Sequence, residues 1–246
     1  MLIADETIEE LTPGGLRIIQ ARQGYRYSLD PFLLADFVDV DRGAMVADLG
    51  SGSGLVPLLL ATRVGSGKID GLEIQEAMVQ RARRTVELNK LQQTISIIHG
   101  DVRRLPNELL RGSYDLVATN PPYRPPDAGR VSHGDERSAA RHELNGGLVD
   151  FLAAGRSLLK HGGRFAVVYP VVRLVELLSG MSKEQLEPKR LRMVHSRQGD
   201  CASLVLVEGR KNGRSGLSVE APLYVYAGEG RSYSVEMQKI MGATAL

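Results

Sequence analysis

The chain has 246 residues, which suits one α/β domain with small appendages, and 43% hydrophobic against 24% charged residues fits a globular protein with a real core. A net charge of +2 excludes bulk charge as a mark of nucleic-acid binding, so any such binding must come from local clusters. One cysteine, Cys201, excludes an internal disulfide and a cysteine-rich metal site, and fits a reducing compartment.

The first 44 residues precede the regular part of the chain. Their acidic start (Asp5, Glu6, Glu9, Glu10) lacks the basic-then-apolar pattern of a secretory signal. Apolar runs such as 55–61 are too short to span a bilayer, so a cytoplasmic protein with no membrane partner is expected. Leu16-Arg17-Ile18-Ile19-Gln20 and Gly24-Tyr25-Arg26-Tyr27 predict a hairpin. A helix follows, with Asp30 as its cap and Pro31 at its first position, and runs through Phe37.

From residue 45 onward β-branched runs alternate with helical patterns, the signature of a parallel sheet wrapped by helices. Strands are expected at Met45–Leu49, 68–74, 94–99, Tyr114–Thr119 and 164–169, and helices at Leu55–Val64, 75–91 and 148–160. Gly162-Gly163 reads as the stop of the last helix. A final pair, 191–195 and 202–207, is separated by a polar turn and would close the sheet as an antiparallel hairpin, with Cys201 packed at a strand edge. The expected fold class is α/β, a mostly parallel sheet with helices on both faces. A hairpin and helix at 1–44 would pack on a core at 45–246 to make one domain. The polar stretches 124–145 and 211–217 read as loops, and the first is long enough to suggest a functional role.

The first core strand runs into Gly50-Ser51-Gly52-Ser53-Gly54 and then a helix. Such glycines let backbone turn tightly against a ligand, with helix N–H groups facing it. Their alternation departs from the G-x-G-x-x-G spacing that seats a pyrophosphate. Asp48 ahead of the turn would repel a diphosphate and suits a cation, such as a sulfonium compound with an α-amino group. Glu73 ends the second strand about 20 residues on, where an acid accepts ribose hydroxyls; a solvated strand-end glutamate is the plain alternative. Asp101 follows the third strand, placed to accept from an adenine amine or else to cap a helix. Ile74 and Val102, next to these acids, would line the same ligand. Together these features predict S-adenosylmethionine bound at the carboxyl ends of the strands.

The fourth strand ends in Asn120-Pro121-Pro122-Tyr123. Two prolines remove N–H donors and stiffen a rim of carbonyl acceptors, and Asn120 adds a side-chain carbonyl, placing it against the cofactor as well. Such acceptors can hold both hydrogens of an NH2 group on a planar ring or amide, while Tyr123 stacks on the plane. The lone pair of such an amine is delocalised, and hydrogen-bond acceptors that favour positive charge on nitrogen make it reactive. The remainder of catalysis is alignment.

With Asp48 through Gly54 and Asn120 through Tyr123 in view, the chain resembles class I S-adenosylmethionine-dependent methyltransferases that modify exocyclic amines and amides. Within them it is similar to the bacterial tRNA(Val) adenine N-6 methyltransferase family. Tyr25-Arg26-Tyr27-Ser28-Leu29-Asp30, Ala140-Arg141-His142-Glu143 and Pro222-Leu223-Tyr224-Val225-Tyr226 carry the likeness. The resemblance implies a seven-stranded Rossmann-like sheet, Phe32 flanking the cofactor, and adenine N-6 methylation in RNA, with tRNA as the partner. Protein glutamine N-5 methylation uses the same tetrapeptide, but that group carries a helical domain before the core where this chain has a short, partly strand-like segment. An inserted DNA-recognition domain is likewise missing from the pattern. A non-catalytic S-adenosylmethionine-binding module acting on RNA is opposed by the intact tetrapeptide.

For the substrate, Tyr25 and Arg26 could offer stacking and a phosphate contact, Arg141 could meet a phosphate and His142 could order the loop; an exposed strand face and a solvated polar loop are the plain alternatives, and the family likeness favours function for Tyr25 and Arg26. Between 183 and 214, eight Lys or Arg face four acids, an excess that could track an RNA backbone or be mixed surface. The five histidines show no metal-ligand spacing, so no metal is expected. No obligate protein partner is evident.

Overall fold

Apolar runs with β-branched residues, hydrophobic on both faces, form strands only where helices cover both sides. The computed structural model, which describes residues 3, 5–11, 15–22, 28–122 and 146–242, has this form. Strands β3 (Met45–Leu49), β4 (Lys68–Glu73), β5 (Ile95–His99), β6 (Tyr114–Thr119) and β7 (Leu159–Pro170) are parallel. Then β8 (Leu186–His195) and β9 (Ala202–Lys211) form a hairpin whose second strand inserts antiparallel beside β7. The order across the sheet is β5-β4-β3-β6-β7-β9-β8. Two short strands, β10 (Ser218–Val219) and β11 (Leu223–Tyr224), extend β8.

Helices α1 (Asp30–Phe37), α2 (Leu55–Val64) and α3 (Glu76–Leu88) cover one face. On the other, α4 (Leu148–Leu158) and α5 (Leu174–Lys183) bury Phe151, Leu152, Leu177 and Met181 against β6, β7 and β9. A short α6 (Val235–Ile240) returns to the first face, where Met237 is buried. In α3 the buried stripe is Val79, Ala82, Thr85 and Val86, spaced three or four apart as one helical face requires.

Several expectations change in detail. Residues 162 and 163 do not stop a helix: α4 ends at Leu158, and Gly162 (φ +74°) lies within β7, where the register against β6 shifts between Tyr114 and Leu116. Asp30 is the first helical residue of α1, with Leu29 at the cap position. Strand β8 begins at Leu186, ahead of the expected 191, and Pro188 sits at a register shift, where a missing N–H is tolerated. Cys201 is exposed.

The N-terminal segment contains a ribbon whose first strand the sequence reading did not assign. Strand β2 (Arg17–Ala21) pairs antiparallel with β1 (Glu6–Glu10), while residues 24–27 lie outside the described residues. Helix α3 serves the ribbon as a substitute strand: Thr85 Oγ1 accepts from Ile19 N–H at 3.1 Å, and Asn89 Oδ1 accepts from Arg17 N–H at 2.9 Å. Glu6 is only 2% exposed, and Arg81 and Arg84 of α3 donate to its carboxylate. The Arg84 hydrogen bond, with that of Arg81, outweighs burial and pulls the Glu6 carboxyl down to about 2.

Candidate active site at the carboxyl ends of the strands

Four adjacent parallel strands, β6, β3, β4 and β5, deliver every described residue of the expected core site to one end of the sheet. Leu49 pairs with Leu72 and Thr119, and Glu73 with His99. Their successors, the glycine turn, Ile74, Gly100-Asp101 and Asn120-Pro121-Pro122, therefore share one rim. The hydroxyl of Thr119, fully buried, donates to Leu49 O at 2.8 Å and ties the start of Asn120-Pro121-Pro122 to the start of the turn.

The turn is held by its own backbone. Gly50 and Ser51 N–H both donate to Leu72 O at 2.9 Å, and Gly54 N–H donates to Ser51 O. Glu73 accepts from Gly52 N–H at 2.9 Å and Gln75 N–H at 2.8 Å, one on each carboxylate oxygen. With four of its N–H groups used internally, the turn is a poor cradle for a diphosphate, in line with its spacing. Gly52 has φ +56°, and a Cβ there would meet nothing within 4 Å, so its open side faces vacant space rather than protein. Gly54 begins α2 at φ +81° with no side-chain cap, leaving helix N–H groups directed toward the rim.

Beneath the turn Asp48 is 2% exposed and Ser51 is 7% exposed. Among the described residues neither Asp48 Oδ2 nor Ser51 Oγ makes a hydrogen bond of sound geometry. Burial pushes the Asp48 carboxyl up to about 7; the nearby Ser51 hydroxyl opposes the rise and the Glu73 charge adds to it. A buried acid poised in this way, next to an unsatisfied hydroxyl, fits a ligand that brings positive charge or donors.

Asp101 is engaged differently from the expectation. No helix follows it, which removes the capping alternative; instead Arg103 N–H and the Arg103 guanidinium donate to its carboxylate at 2.9 Å. The Arg103 hydrogen bond leads in holding this half-exposed carboxyl below its usual range. Val102 is 9% exposed and Ile74 is half-buried. Asn120 and Pro122 are half-buried and Pro121 is buried. Phe32 is 2% exposed and packs with Leu11, Ile18, Leu55 and Leu58, behind the first turn of α2. Tyr123, Tyr25, Arg26, Arg141 and His142 lie outside the described residues.

The start of α4 has the expected position, but its place in the site was missing from the sequence reading. A Cβ on Gly50 would lie 3.2 Å from the Phe151 ring, and one on Gly146 would lie 3.0 Å from Val102 Cγ2, so Gly146 to Phe151 wall the same site. The signal was present as Gly146-Gly147 directly ahead of an apolar helical pattern. The basic excess between 183 and 214 is dispersed: Arg190 pairs with Asp39 and Glu220, Arg192 with Glu236, and Lys189, Arg210 and Lys211 donate to carbonyls. Among the described residues no three His, Cys, Asp or Glu converge as metal ligands, and no helix is long and apolar enough to cross a membrane.

Comparison with known proteins agrees with this geometry. The chain is 26% identical over 217 residues to the tRNA1(Val) (adenine(37)-N6)-methyltransferase of Dyadobacter fermentans, covering 87% of this chain and 88% of that one. It is 31% identical over 189 residues to the protein of the same name from Aeromonas hydrophila, covering 76% and 77%. A crystal structure from Agrobacterium tumefaciens, described as a predicted O-methyltransferase, shares the fold at a TM-score of 0.68 and 21% identity, over 88% of this chain and 98% of that one. The model of the methyltransferase small domain matches residues 30–172, which span the turn, both acidic strand ends and Asn120-Pro121-Pro122, and the chain belongs to that family.

Proposed function

We propose that this protein transfers a methyl group from S-adenosylmethionine to N-6 of an adenine in tRNA. The observation that carries the reading is the adjacency, across one strand pair pinned by Thr119, of the Gly50–Gly54 turn and the Asn120-Pro121-Pro122 rim. The names of the relatives supply the substrate class.

Asp48, Ser51 and Gly52 would hold the charged end of the cofactor, and Glu73 its ribose. The Glu73 carboxylate spends one lone pair per oxygen on backbone and has further acceptor sites for two hydroxyls. Val102, Ile74 and the Phe151 wall would enclose the adenine, and Asp101 would accept from its amine through a lone pair that Arg103 leaves open. When bound, the cofactor supplies an electrophilic methyl group on a sulfonium centre.

The acceptor adenine enters unpaired, because its amine is unreachable in a stacked duplex. Asn120 Oδ1 and the Pro121 carbonyl accept its two amine hydrogens. That contact withdraws the nitrogen lone pair from the ring and favours the positive charge that develops as the nitrogen–carbon bond forms. The surplus proton leaves afterwards to Asn120 or water, so no strong base is needed. Tyr123 would stack on the ring. Action on tRNA would place the protein in the cytoplasm, and the chain alone is expected to suffice.

The test is a transfer assay with purified protein, labelled S-adenosylmethionine and four acceptors: total tRNA, other RNA, duplex DNA and a protein extract. N-6-methyladenosine in the tRNA fraction is expected. Label only in protein would replace this reading with glutamine methylation. No label despite measurable cofactor binding would make the protein a non-catalytic module.

A further inference from the structure

The parallel strands do not end level. By register Thr119 of β6, Val167 of β7, Val207 of β9 and Leu191 of β8 share one row. Asn120 is one residue past that row, whereas β8 continues four residues further, to His195. The end of β8 thus stands three strand spacings from Asn120, roughly 14 Å across the sheet, and about 10 Å further out. It forms a wall off to one side of the proposed reaction site, beyond the ends of β7 and β9.

That wall is built of planar and basic groups. Strand β11 pairs with β8, and the Tyr224 ring lies 5.5 Å from the His195 ring. Tyr226 stacks on Tyr233 with centroids 5.7 Å apart and planes 13° from parallel. The Arg197 guanidinium lies 5.0 Å from the Tyr226 ring centre and donates to Gly228 O at 2.7 Å and Gly230 O at 2.9 Å. These carbonyls fix the loop 227–232 without neutralising Arg197, which has no carboxylate partner among the described residues. At the tip of that loop Arg231 is exposed and makes no hydrogen bond or ion pair among the described residues. Most other arginines near β8 are spent on acids, as Arg190 and Arg192 are. Glu229 and Asp200 also lie here, exposed, so this is not a general basic patch but a specific set of rings with two guanidinium groups that have no carboxylate partner among the described residues.

We propose that this ledge, Tyr226, Tyr233, Arg197 and Arg231, is a second RNA-binding surface that holds nucleotides flanking the target adenine. The inference rests on the reading of tRNA as substrate and adds where that RNA is gripped. Aromatic faces accept any unstacked base, and a free guanidinium meets the backbone phosphate, the pairing that single-stranded RNA segments select. Tyr226, Tyr233 and Arg197 are already in contact and both tyrosines pack partly buried against the core, so little ordering is lost when a base joins the exposed part of the stack.

The experiment measures binding of fluorescently labelled tRNA by anisotropy across a salt series, together with transfer kinetics, for Arg231→Glu, Tyr233→Ala and Tyr233→Phe. Arg231→Glu is expected to weaken tRNA binding about tenfold and to reduce the slope of log K against log salt by about one. Tyr233→Ala should also weaken it about tenfold, while Tyr233→Phe, which keeps the ring, stays near wild type. In all three the cofactor Kd and kcat at saturating tRNA stay unchanged, and a misfolded Tyr233→Ala would reveal itself by lost cofactor binding, leaving the exposed Arg231→Glu to decide. Unchanged tRNA affinity and salt slope in Arg231→Glu would overturn the ledge while leaving a methylating wild type, and hence the function, intact. Weakened binding in these variants with no methyladenosine from wild type would overturn the function and leave the ledge standing. A wild type that binds no tRNA overturns both.

Discussion

Asp48→Asn should stabilise the ligand-free protein and damage it as a cofactor binder. The carboxyl is pushed from 3.8 to about 7 by burial, so the folded state holds the proton more tightly than the unfolded chain does. For a group raised in this way, native stability is fully present below the unfolded value near 4 and is lost as pH rises through 7. About three pKa units correspond to about 4 kcal/mol, accumulating at up to ~1.4 kcal/mol per pH unit and constant above pH 8. Asparagine keeps the shape and removes the charge. The variant should therefore gain up to about 4 kcal/mol over wild type at pH 8, less whatever its amide loses by lacking partners. Urea denaturation at pH 5, 6.5 and 8 reads this directly. The gap should shrink by more than half between pH 8 and pH 5, and at pH 8 each kcal/mol should appear as about 2–4 °C in Tm. Calorimetry with S-adenosylmethionine should show at least tenfold weaker binding for the variant. A gap that does not change with pH, or a variant less stable than wild type at pH 8, would refute the claim that an acid without a compensating cation is buried beneath the turn.

Three further outcomes are expected. Glu6→Gln should cost on the order of 2 kcal/mol at neutral pH, because the Arg81 and Arg84 charges lose their partner. Its folded carboxyl is held low, so the wild-type advantage exists above the ordinary 4.5 and fades as pH falls to about 2, which chemical denaturation between pH 3 and 7 will follow. Gly52→Ala should lose about 1 kcal/mol of stability, since φ is +56° there, and much more cofactor affinity, since the added methyl points into the open side of the turn. Equal cofactor Kd for Gly52→Ala and wild type would contradict that placement. Asn120→Ala should nearly abolish transfer while cofactor Kd, read by calorimetry, changes little.

The core of the fold was legible because its signals are local. Met45–Leu49, Leu55–Val64 and Tyr114–Thr119 have the bounds that periodicity and glycine punctuation assign. What was not legible depends on distant partners. Glu6-Thr7-Ile8-Glu9-Glu10 reads as acidic surface until two arginines some 75 residues later bury Glu6, and β2 has its outer edge satisfied by side chains of α3. Pro188 and Arg190 disguise the start of β8, because a bulge and the pairing with Glu220 make both acceptable in a strand. In the site, the spacing of Asp48, Glu73 and Asn120 located the rim, but whether each acid faces ligand or protein was set in three dimensions: Arg103 takes part of Asp101, Gly52 and Gln75 take part of Glu73, and Asp48 Oδ2 has no hydrogen bond among the described residues. The basic stretch from 183 to 214 reads as one patch, yet the antiparallel pairing of β8 and β9 gathers Lys189, Arg190, Arg210 and Lys211 at the end of the hairpin away from Arg197, where acids and carbonyls engage them.

The most direct measurement is nucleoside mass spectrometry of tRNA incubated with S-adenosylmethionine and either wild type or Asn120→Ala, each shown to bind the cofactor. N-6-methyladenosine is expected with wild type, and a near-complete loss with the variant at unchanged cofactor affinity. Undiminished N-6-methyladenosine from Asn120→Ala would contradict the assignment of this rim as the place where the amine is held.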